Sequence, residues 1–282
     1  MKNNIVTGII GSPIKHSLSP IIHRYWMDMH NIVSSYDIYE PKKHELPSFL
    51  KGMSRNNIKG INVTIPFKRD VMEHLDTISE EALALGAVNT IKLEGNNLFG
   101  YNTDAHGFMQ HLKTSAPGWK EKKGGTVILG AGGASRAVIW SLLKENKRDI
   151  RIINRNENRA LTLIADMKKF FPSANITFFN DPIKALINSA LFINCSSLGM
   201  KGQKELELDL VTMNKESIVY DIVYSPLKTK LLYRAKELGF KTIDGLGMLL
   251  NQAAPAFKMW YHKEVIVTED LRNKVIEHLE RS

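Results

Sequence analysis

Cysteine is nearly missing from this 282-residue chain. The single thiol, Cys195, can close no intrachain disulfide and stands in no zinc-ligand spacing. A disulfide framework or zinc ribbon is thereby excluded, and a reducing compartment is expected. Long apolar runs are missing too, since none approaches the ~18 residues of a membrane span. The apolar stretch near the N-terminus is short, is cut by Gly11-Ser12-Pro13, and leads to no small-residue cleavage site, so no secretory leader is expected. Internal repeats and low-complexity tracts are absent as well. Acidic residues are in deficit, 29 Asp+Glu against 38 Lys+Arg, for a net charge of +9.

What is present reads as an ordinary globular protein of the cytoplasm. Hydrophobic residues make up 43% and charged residues 24%, which excludes a disordered chain. At roughly 100–200 residues per domain, the length implies one large domain or two medium ones. The basic excess is compatible with nucleic acid, an acidic membrane surface or small anions. Lys and Arg are scattered in pairs and triplets such as Lys42-Lys43-His44, with no basic tail or stripe, so charge alone selects no partner.

Periodicity divides the chain into two styles. In the first, a strand over 5–10 leads through a polar loop to Ser19-Pro20, read as N-cap and first helical position, with Ile22, Tyr25, Trp26 and Met29 on one helical face. A helix around Phe49, Leu50 and Met53 precedes a strand over 58–65, in which Ile61, Val63 and Ile65 face one way and Asn62 and Thr64 the other. Pro66 ends that strand, a helix is expected over 67–75, and residues 88–93 and 98–101 read as a hairpin. Beyond Asp104 the pattern is more regular. Strands are expected at 127–129, 150–153, 176–178, 191–194, 218–222 and 242–243, separated by helices at 134–144, 158–170, 182–189 and 229–238. Such alternation implies parallel βαβ units. After Gly245 the chain reads as helix to Trp260, and again from Glu269 onward.

The strand Thr126-Val127-Ile128-Leu129 runs directly into Gly130-Ala131-Gly132-Gly133-Ala134-Ser135 and a helix, the order that dinucleotide binding requires. Gly130 permits the tight turn, Gly132 lets the backbone approach a pyrophosphate, and the helix start supplies N–H groups and a positive dipole end. Ser135 stands where Gly or Ala is usual. A glycine turn alone can be merely a tight connection; six alternating strands with the motif on the first give it its meaning. The second strand ends in Asn154-Arg155-Asn156, with Arg159 one turn later and no carboxylate at the strand end. Two guanidiniums there suit the 2′-phosphate of NADP, whereas a carboxylate would suit NAD. Glu157 lies close by, and the arginines could also be solvated surface charges.

Polar residues cluster in the first half at Ser17 and Ser19, at Asn62 and Thr64, at Lys68, at Asn89 and at Asp104. Singly, each has a structural reading: Ser19 or Asp104 as a helix cap, Lys68 as a surface lysine. Together they sit in Gly11-Ser12-Pro13-Ile14-Lys15-His16-Ser17-Leu18-Ser19-Pro20, Asn62-Val63-Thr64-Ile65-Pro66-Phe67-Lys68, Gly86-Ala87-Val88-Asn89-Thr90 and Asn102-Thr103-Asp104. Further on come the glycine turn, Asn154-Arg155 and Asp244-Gly245-Leu246-Gly247-Met248-Leu249.

In these segments and in their order the chain closely resembles the shikimate dehydrogenase family of NADP-linked enzymes of aromatic amino-acid biosynthesis, from about Gly8 to Phe257. The resemblance implies an α/β protein of two domains with the active site in the cleft between them. Residues 1–104 with 245–282 would be the substrate domain, completed by C-terminal helices, and residues 105–244 a Rossmann-type NADP domain. It also implies reversible reduction of 3-dehydroshikimate to shikimate. Ser17 and Ser19 would hold the carboxylate, and Asn62, Thr64, Asn89, Asp104 and Gln252 the ring hydroxyls, with Tyr224 lining the site. Lys68 would be the general acid/base, paired with Asp104, supplying the proton that accompanies hydride transfer. Gly130, Ala131, Gly132, Gly133, Ala134, Asn154, Arg155, Asn156, Arg159, Ile222 and Gly245 would hold the cofactor, and no metal is expected. Asn156 stands where the family often has Thr, and Cys195-Ser196 where Ala-Thr is common. Small-molecule substrate and NADP(H) are thus the expected partners, with neither nucleic acid nor membrane, and homodimerisation is left open. The rival readings are an NAD-linked quinate/shikimate dehydrogenase, disfavoured by Ser19 and the arginines; a nucleic-acid binder motivated by the +9; and a ligand-binding regulator without turnover, disfavoured by intact Lys68 and Asp104.

Overall fold

The computed structural model of the protein describes residues 5–281. The chain divides into two compact units, one running up to Thr103 and resuming at Leu250, the other spanning Asp104–Leu249.

The first unit opens with β1 (Val6–Ile10), α1 (Ser19–Met29), β2 (Ser35–Tyr39), α2 (Leu46–Gly52), β3 (Ile58–Val63), β4 (Thr77–Ile78), α3 (Glu80–Leu85), β5 (Thr90–Glu94) and β6 (Asn97–Tyr101). Its six strands form one mixed sheet in the order β2-β1-β3-β5-β6-β4. Strand β1 pairs in parallel with both β2 and β3, which sets Ile9 beside Asn62. Antiparallel β5 and β6 form the expected hairpin, turned by Gly95-Asn96 with Gly95 at φ +62°, a left-handed conformation that glycine adopts without Cβ strain. Alternation along β3 sends Ile61 and Val63 into an aliphatic core with Leu46, Leu50 and Met53.

Several expectations fail locally. Leu18, not Ser19, occupies the N-cap position, because its backbone is already helical (φ −84°, ψ −11°) and no side chain caps the turn. Ser19 is the first helical residue, and Ser17 Oγ accepts its N–H at 3.3 Å instead. Met29 is exposed, lying on the last turn of α1, while Ile22 and Trp26 carry the buried face. The strand over 58–65 stops at Val63, and Ile65 stands 73% exposed past its end. In place of a helix over 67–75 there is a turn closed by Phe67 N–H to the Thr64 carbonyl, then a single 3-10 stretch, Asp70–His74, which extended Leu75 terminates.

The second unit contains α4 (Asp104–Ser115), β7 (Gly125–Leu129), α5 (Gly133–Lys144), β8 (Asp149–Ile153), α6 (Glu157–Phe170), β9 (Asn175–Phe179), α7 (Pro182–Leu186), β10 (Ser189–Asn194), β11 (Ile218–Asp221), α8 (Lys230–Glu237) and β12 (Lys241–Ile243). Helix α7 is shorter than the expected 182–189, since Ile187 is extended and Asn188 has φ +54°; Ser189 begins β10. The six strands pair in parallel throughout, in the order β12-β11-β10-β7-β8-β9. Ile128, Ile152 and Ile193 face α4, α5 and α6, while Val127, Phe192 and Val219 face α7 and α8. This is the doubly wound arrangement, whose order reverses beside β7, where ligands bind at the carboxyl ends of the strands.

Helix α9 (Leu246–Tyr261) follows, and α10 (Glu269–Arg281) ends the described chain. Within the first unit, α9 lays Trp260 over Gly60 of β3, and the Trp260 indole donates to the Ile91 carbonyl at 3.1 Å. Gly60 lacks the side chain that would otherwise occupy that space. His23, Trp26, Tyr36 and Phe257 complete this aromatic layer.

Candidate functional site

Asn62 projects from β3 on the face opposite Ile61 and is buried. Its Oδ1 accepts the Tyr36 hydroxyl at 2.7 Å, and its Nδ2 donates to the Asn89 carbonyl at 3.3 Å and Thr90 Oγ1 at 3.2 Å. Asn89, one residue before β5, is buried as well; its Oδ1 accepts the Thr103 N–H at 2.9 Å and its Nδ2 donates to Gln252 Oε1 on α9 at 3.4 Å. Three of the expected substrate residues, Asn62, Asn89 and Gln252, therefore converge in one network although the chain separates them by up to 190 positions. Thr64 lies just beyond β3, its N–H bonded to the Ile10 carbonyl at 2.9 Å and its methyl filling the space beside Gly11. Lys68 is half-buried in the turn that follows, and its carbonyl accepts the Val88 N–H at 2.8 Å, tying it to the segment that carries Asn89. Ser17 and Ser19 share the start of α1, as described. Asp104 is half-buried as the first residue of α4.

In the second unit the glycine turn behaves as its sequence implies. Gly130 has φ +115°, and a Cβ there would press on the Cys195 carbonyl at 3.0 Å. Gly132 and Gly133 are exposed, with no atom within 4 Å of where a Cβ would lie, so the N-terminal turn of α5 is open to a ligand. Ser135, the departure from the usual motif, is buried, and its hydroxyl accepts the Gly132 N–H at 3.3 Å, bracing the turn. Ala131 and Ala134 flank it, partly exposed. At the end of β8, Asn154 Nδ2 donates to the Asn156 carbonyl at 2.6 Å and Asn156 caps α6 through the Arg159 N–H at 3.0 Å. Arg155 and Arg159 are exposed, and among the described residues neither guanidinium has a hydrogen bond or ion pair. No carboxylate stands at the strand end to claim a ribose 2′-hydroxyl; the residues present suit a 2′-phosphate.

Ile222 and Gly245 meet in this unit, a Cβ on Gly245 being barred by the Ile222 carbonyl. Half-buried Tyr224, whose phenol burial pushes upward in pKa, lies two residues past Ile222. The segment hangs from buried Asp221, whose Oδ1 accepts the Val223 N–H at 3.1 Å and Asn194 Nδ2 at 2.9 Å and whose Oδ2 accepts the Thr229 hydroxyl at 2.7 Å. The sequence pattern gave no sign of Tyr36 or Asp221, while Thr90 and Thr103 stood within recognised segments but without a role. Tyr36 carries no local signal, being on a strand that periodicity did not show. Among the described residues, no group of three or more His, Cys, Asp or Glu is placed to hold a metal ion, and no helix is long and apolar enough to cross a membrane.

An all-parallel sheet in Rossmann order, a glycine turn at a helix start, and a separate unit with a buried amide and hydroxyl cluster define the class of dinucleotide-dependent oxidoreductases acting on small polar substrates. The comparisons narrow it. Residues 9–91 match the family model described as shikimate dehydrogenase substrate binding domain. The shikimate dehydrogenase (NADP(+)) of Brucella canis is 41% identical over 97% of this chain and 94% of its own. The Thermus thermophilus shikimate 5-dehydrogenase solved with NADP(H) and shikimate is 32% identical, with a TM-score of 0.83 over 98% of this chain and 99% of its own. A Corynebacterium glutamicum quinate dehydrogenase solved with NAD superimposes at 0.89, with 26% identity over 97% of this chain and 99% of its own. This chain belongs to the shikimate dehydrogenase family.

Proposed function

We propose that the protein catalyses the reversible NADPH-dependent reduction of 3-dehydroshikimate to shikimate, an oxidoreductase step in chorismate and aromatic amino-acid biosynthesis in the cytoplasm. The observation that carries this reading is the convergence of Asn62, Asn89 and Gln252 on one buried network, in a chain whose nearly full-length relative is a shikimate dehydrogenase (NADP(+)). Buried amides held by partners at both ends suit a ligand carrying several hydroxyls. Ser17 and Ser19, at the amide-rich start of α1, suit its carboxylate. Thr64 and Tyr224 complete the substrate set.

When bound, NADPH supplies the hydride. Arg155 and Arg159, with Asn154 and Asn156, hold its 2′-phosphate end, the turn Gly130-Ala131-Gly132-Gly133-Ala134 its pyrophosphate, and Ile222 and Gly245 its reactive end. Lys68 delivers the proton to the substrate oxygen during reduction and takes it back during oxidation, and Asp104 orients it.

The NAD-linked quinate reading is supported by the Corynebacterium likeness, but the unpaired arginines and the absence of a carboxylate at the end of β8 speak for NADP. Absorbance at 340 nm, with shikimate or quinate and NADP+ or NAD+ in all four combinations, separates the two. Fast turnover with shikimate and NADP+ is expected, and a preference for quinate with NAD+ overturns the proposal. Lys68→Ala is expected to lose most turnover while remaining folded.

A further inference from the structure

Five side chains of the first unit form a hydrogen-bonded chain in which every donor points the same way. The Tyr36 hydroxyl donates to Asn62 Oδ1 at 2.7 Å, Asn62 Nδ2 to Thr90 Oγ1 at 3.2 Å, Thr90 Oγ1 to Asn89 Oδ1 at 3.0 Å, and Asn89 Nδ2 to Gln252 Oε1 at 3.4 Å. Amide orientations are usually a matter of assignment, but here two backbone groups decide them. The Asn89 carbonyl can only accept, so the atom of Asn62 facing it at 3.3 Å must be Nδ2. The Thr103 N–H can only donate, so the atom of Asn89 facing it at 2.9 Å must be Oδ1. Thr90, between an obligate donor and an obligate acceptor, then has one possible hydroxyl direction. Tyr36, facing Asn62 Oδ1, must donate.

We propose that Tyr36 and Thr90 are positioning residues that brace the side chains of the substrate subsite in this backbone-set polarity. Asn62 commits its amide nitrogen to Thr90 and the Asn89 carbonyl, so the atom with which it meets a ligand hydroxyl is Oδ1, as an acceptor. Gln252 is held with its oxygen toward Asn89. The inference rests on the reading of Asn62, Asn89 and Gln252 as substrate residues, while neither Tyr36 nor Thr90 belongs to that set.

The surroundings are built to keep the chain in place. Tyr36 and Thr90 are fully buried. The Tyr36 ring stacks on His23, 4.4 Å between centroids and 10° from parallel, and its carbonyl is held by Arg24 at 2.8 Å. His23 is also fully buried, and burial pushes its pKa down to about 3 against a smaller opposing pull from the Asn62 side chain. A neutral, flat ring is therefore what the Tyr36 face meets across the whole working pH range. In a dry network of this kind each missing hydroxyl leaves a buried partner unsatisfied, and the amides it braced are held in place less firmly.

Three variants test the proposal. Tyr36→Phe and Thr90→Val delete one hydroxyl each at nearly constant volume, and Thr90→Ser keeps it. With shikimate varied at saturating NADP+, Y36F and T90V should each lose about tenfold in kcat/KM, as expected for one unsatisfied buried group. The KM for NADP+ should not move, and T90S should stay within about twofold of the wild type. Unchanged kinetics in Y36F and T90V overturn the proposal, as does a T90S variant as impaired as T90V, since packing rather than the hydroxyl would then matter. Should T90V fail to fold, Y36F and T90S carry the test. Side-chain amide NMR of the ligand-free protein reads the chain without turnover. Asn62 amide hydrogens should exchange at least about tenfold faster in Y36F than in the wild type and T90S, and equal exchange refutes the chain. A wild-type enzyme inert toward shikimate, with Asn62 protected as described, would instead overturn the functional reading alone.

Discussion

Replacing Asp221 by asparagine separates the charge of a buried carboxylate from its hydrogen bonds. Burial pushes the Asp221 carboxyl from 3.8 up to about 6, against the opposing pull of Thr229, Val223 and Asn194. The folded protein thus holds this proton more tightly than the unfolded chain does. The group's contribution is most favourable below about pH 3.8, is lost as pH rises through about 6, and stays lost above that. A rise of about 2 units corresponds to about 3 kcal/mol. Asparagine cannot titrate and escapes this loss. It also places an amide nitrogen where Oδ2 accepted the Thr229 hydroxyl, whose oxygen already accepts the Leu232 N–H at 3.3 Å as the cap of α8. The hydroxyl hydrogen is orphaned at a cost of about 1–3 kcal/mol. D221N should therefore be about 1–3 kcal/mol less stable than the wild type near pH 4 and about equal or slightly more stable at pH 8. Urea unfolding of both proteins across that range gives the difference directly, with every shared titrating group cancelling. A wild-type advantage that stays constant from pH 4 to 8 would show that the carboxyl titrates normally, and the account of its burial would be wrong.

Other outcomes follow from the same geometry. Arg155→Ala and Arg159→Ala should each raise the KM for NADP+ about tenfold, as for loss of a charge-assisted hydrogen bond, and leave that for NAD+ and the melting temperature unchanged; equal effects on both cofactors would remove the 2′-phosphate assignment. Gly60→Ala drives a methyl into the Trp260 indole and should cost about 1–3 kcal/mol in denaturant unfolding, as overpacking does; a neutral outcome would mean that α9 shifts freely over β3. Cys195 is buried beside the glycine turn, and burial pushes its thiol well above the ordinary range. A thiol reagent should label it only as fast as the second unit opens, so stoichiometric labelling of the native protein within seconds would contradict this environment.

The dinucleotide unit was legible because its signals are local. A β-rich run, a glycine obliged to φ +115°, and a helix start occupy ten consecutive positions, and regular alternation told the rest of the parallel sheet. The first unit was less legible. Strand β2, Ser-Tyr-Asp-Ile-Tyr, lies at the sheet edge with no clean alternation, and the stretch after Pro66 has helical composition but folds as turns. Residue types at the candidate site were readable as motifs. Their partners were not, as with Ser17 bonding the start of α1 and Ser19 merely opening it.

By itself, then, the sequence determined the nucleotide-binding turn, the run of parallel βαβ units, the paired arginines with no acid at the strand end, and the family. These depend on backbone conformations and periodicities that neighbouring residues set among themselves. Only the tertiary structure decided which groups are buried and which way each hydrogen bond runs. Asn62 meets Tyr36 across 26 positions and Asn89 meets Gln252 across 163. The upward push on Asp221 and the downward push on His23 likewise arise from desolvation by distant segments. Polarity and burial belong to the assembled neighbourhood, and no stretch of contiguous residues encodes them.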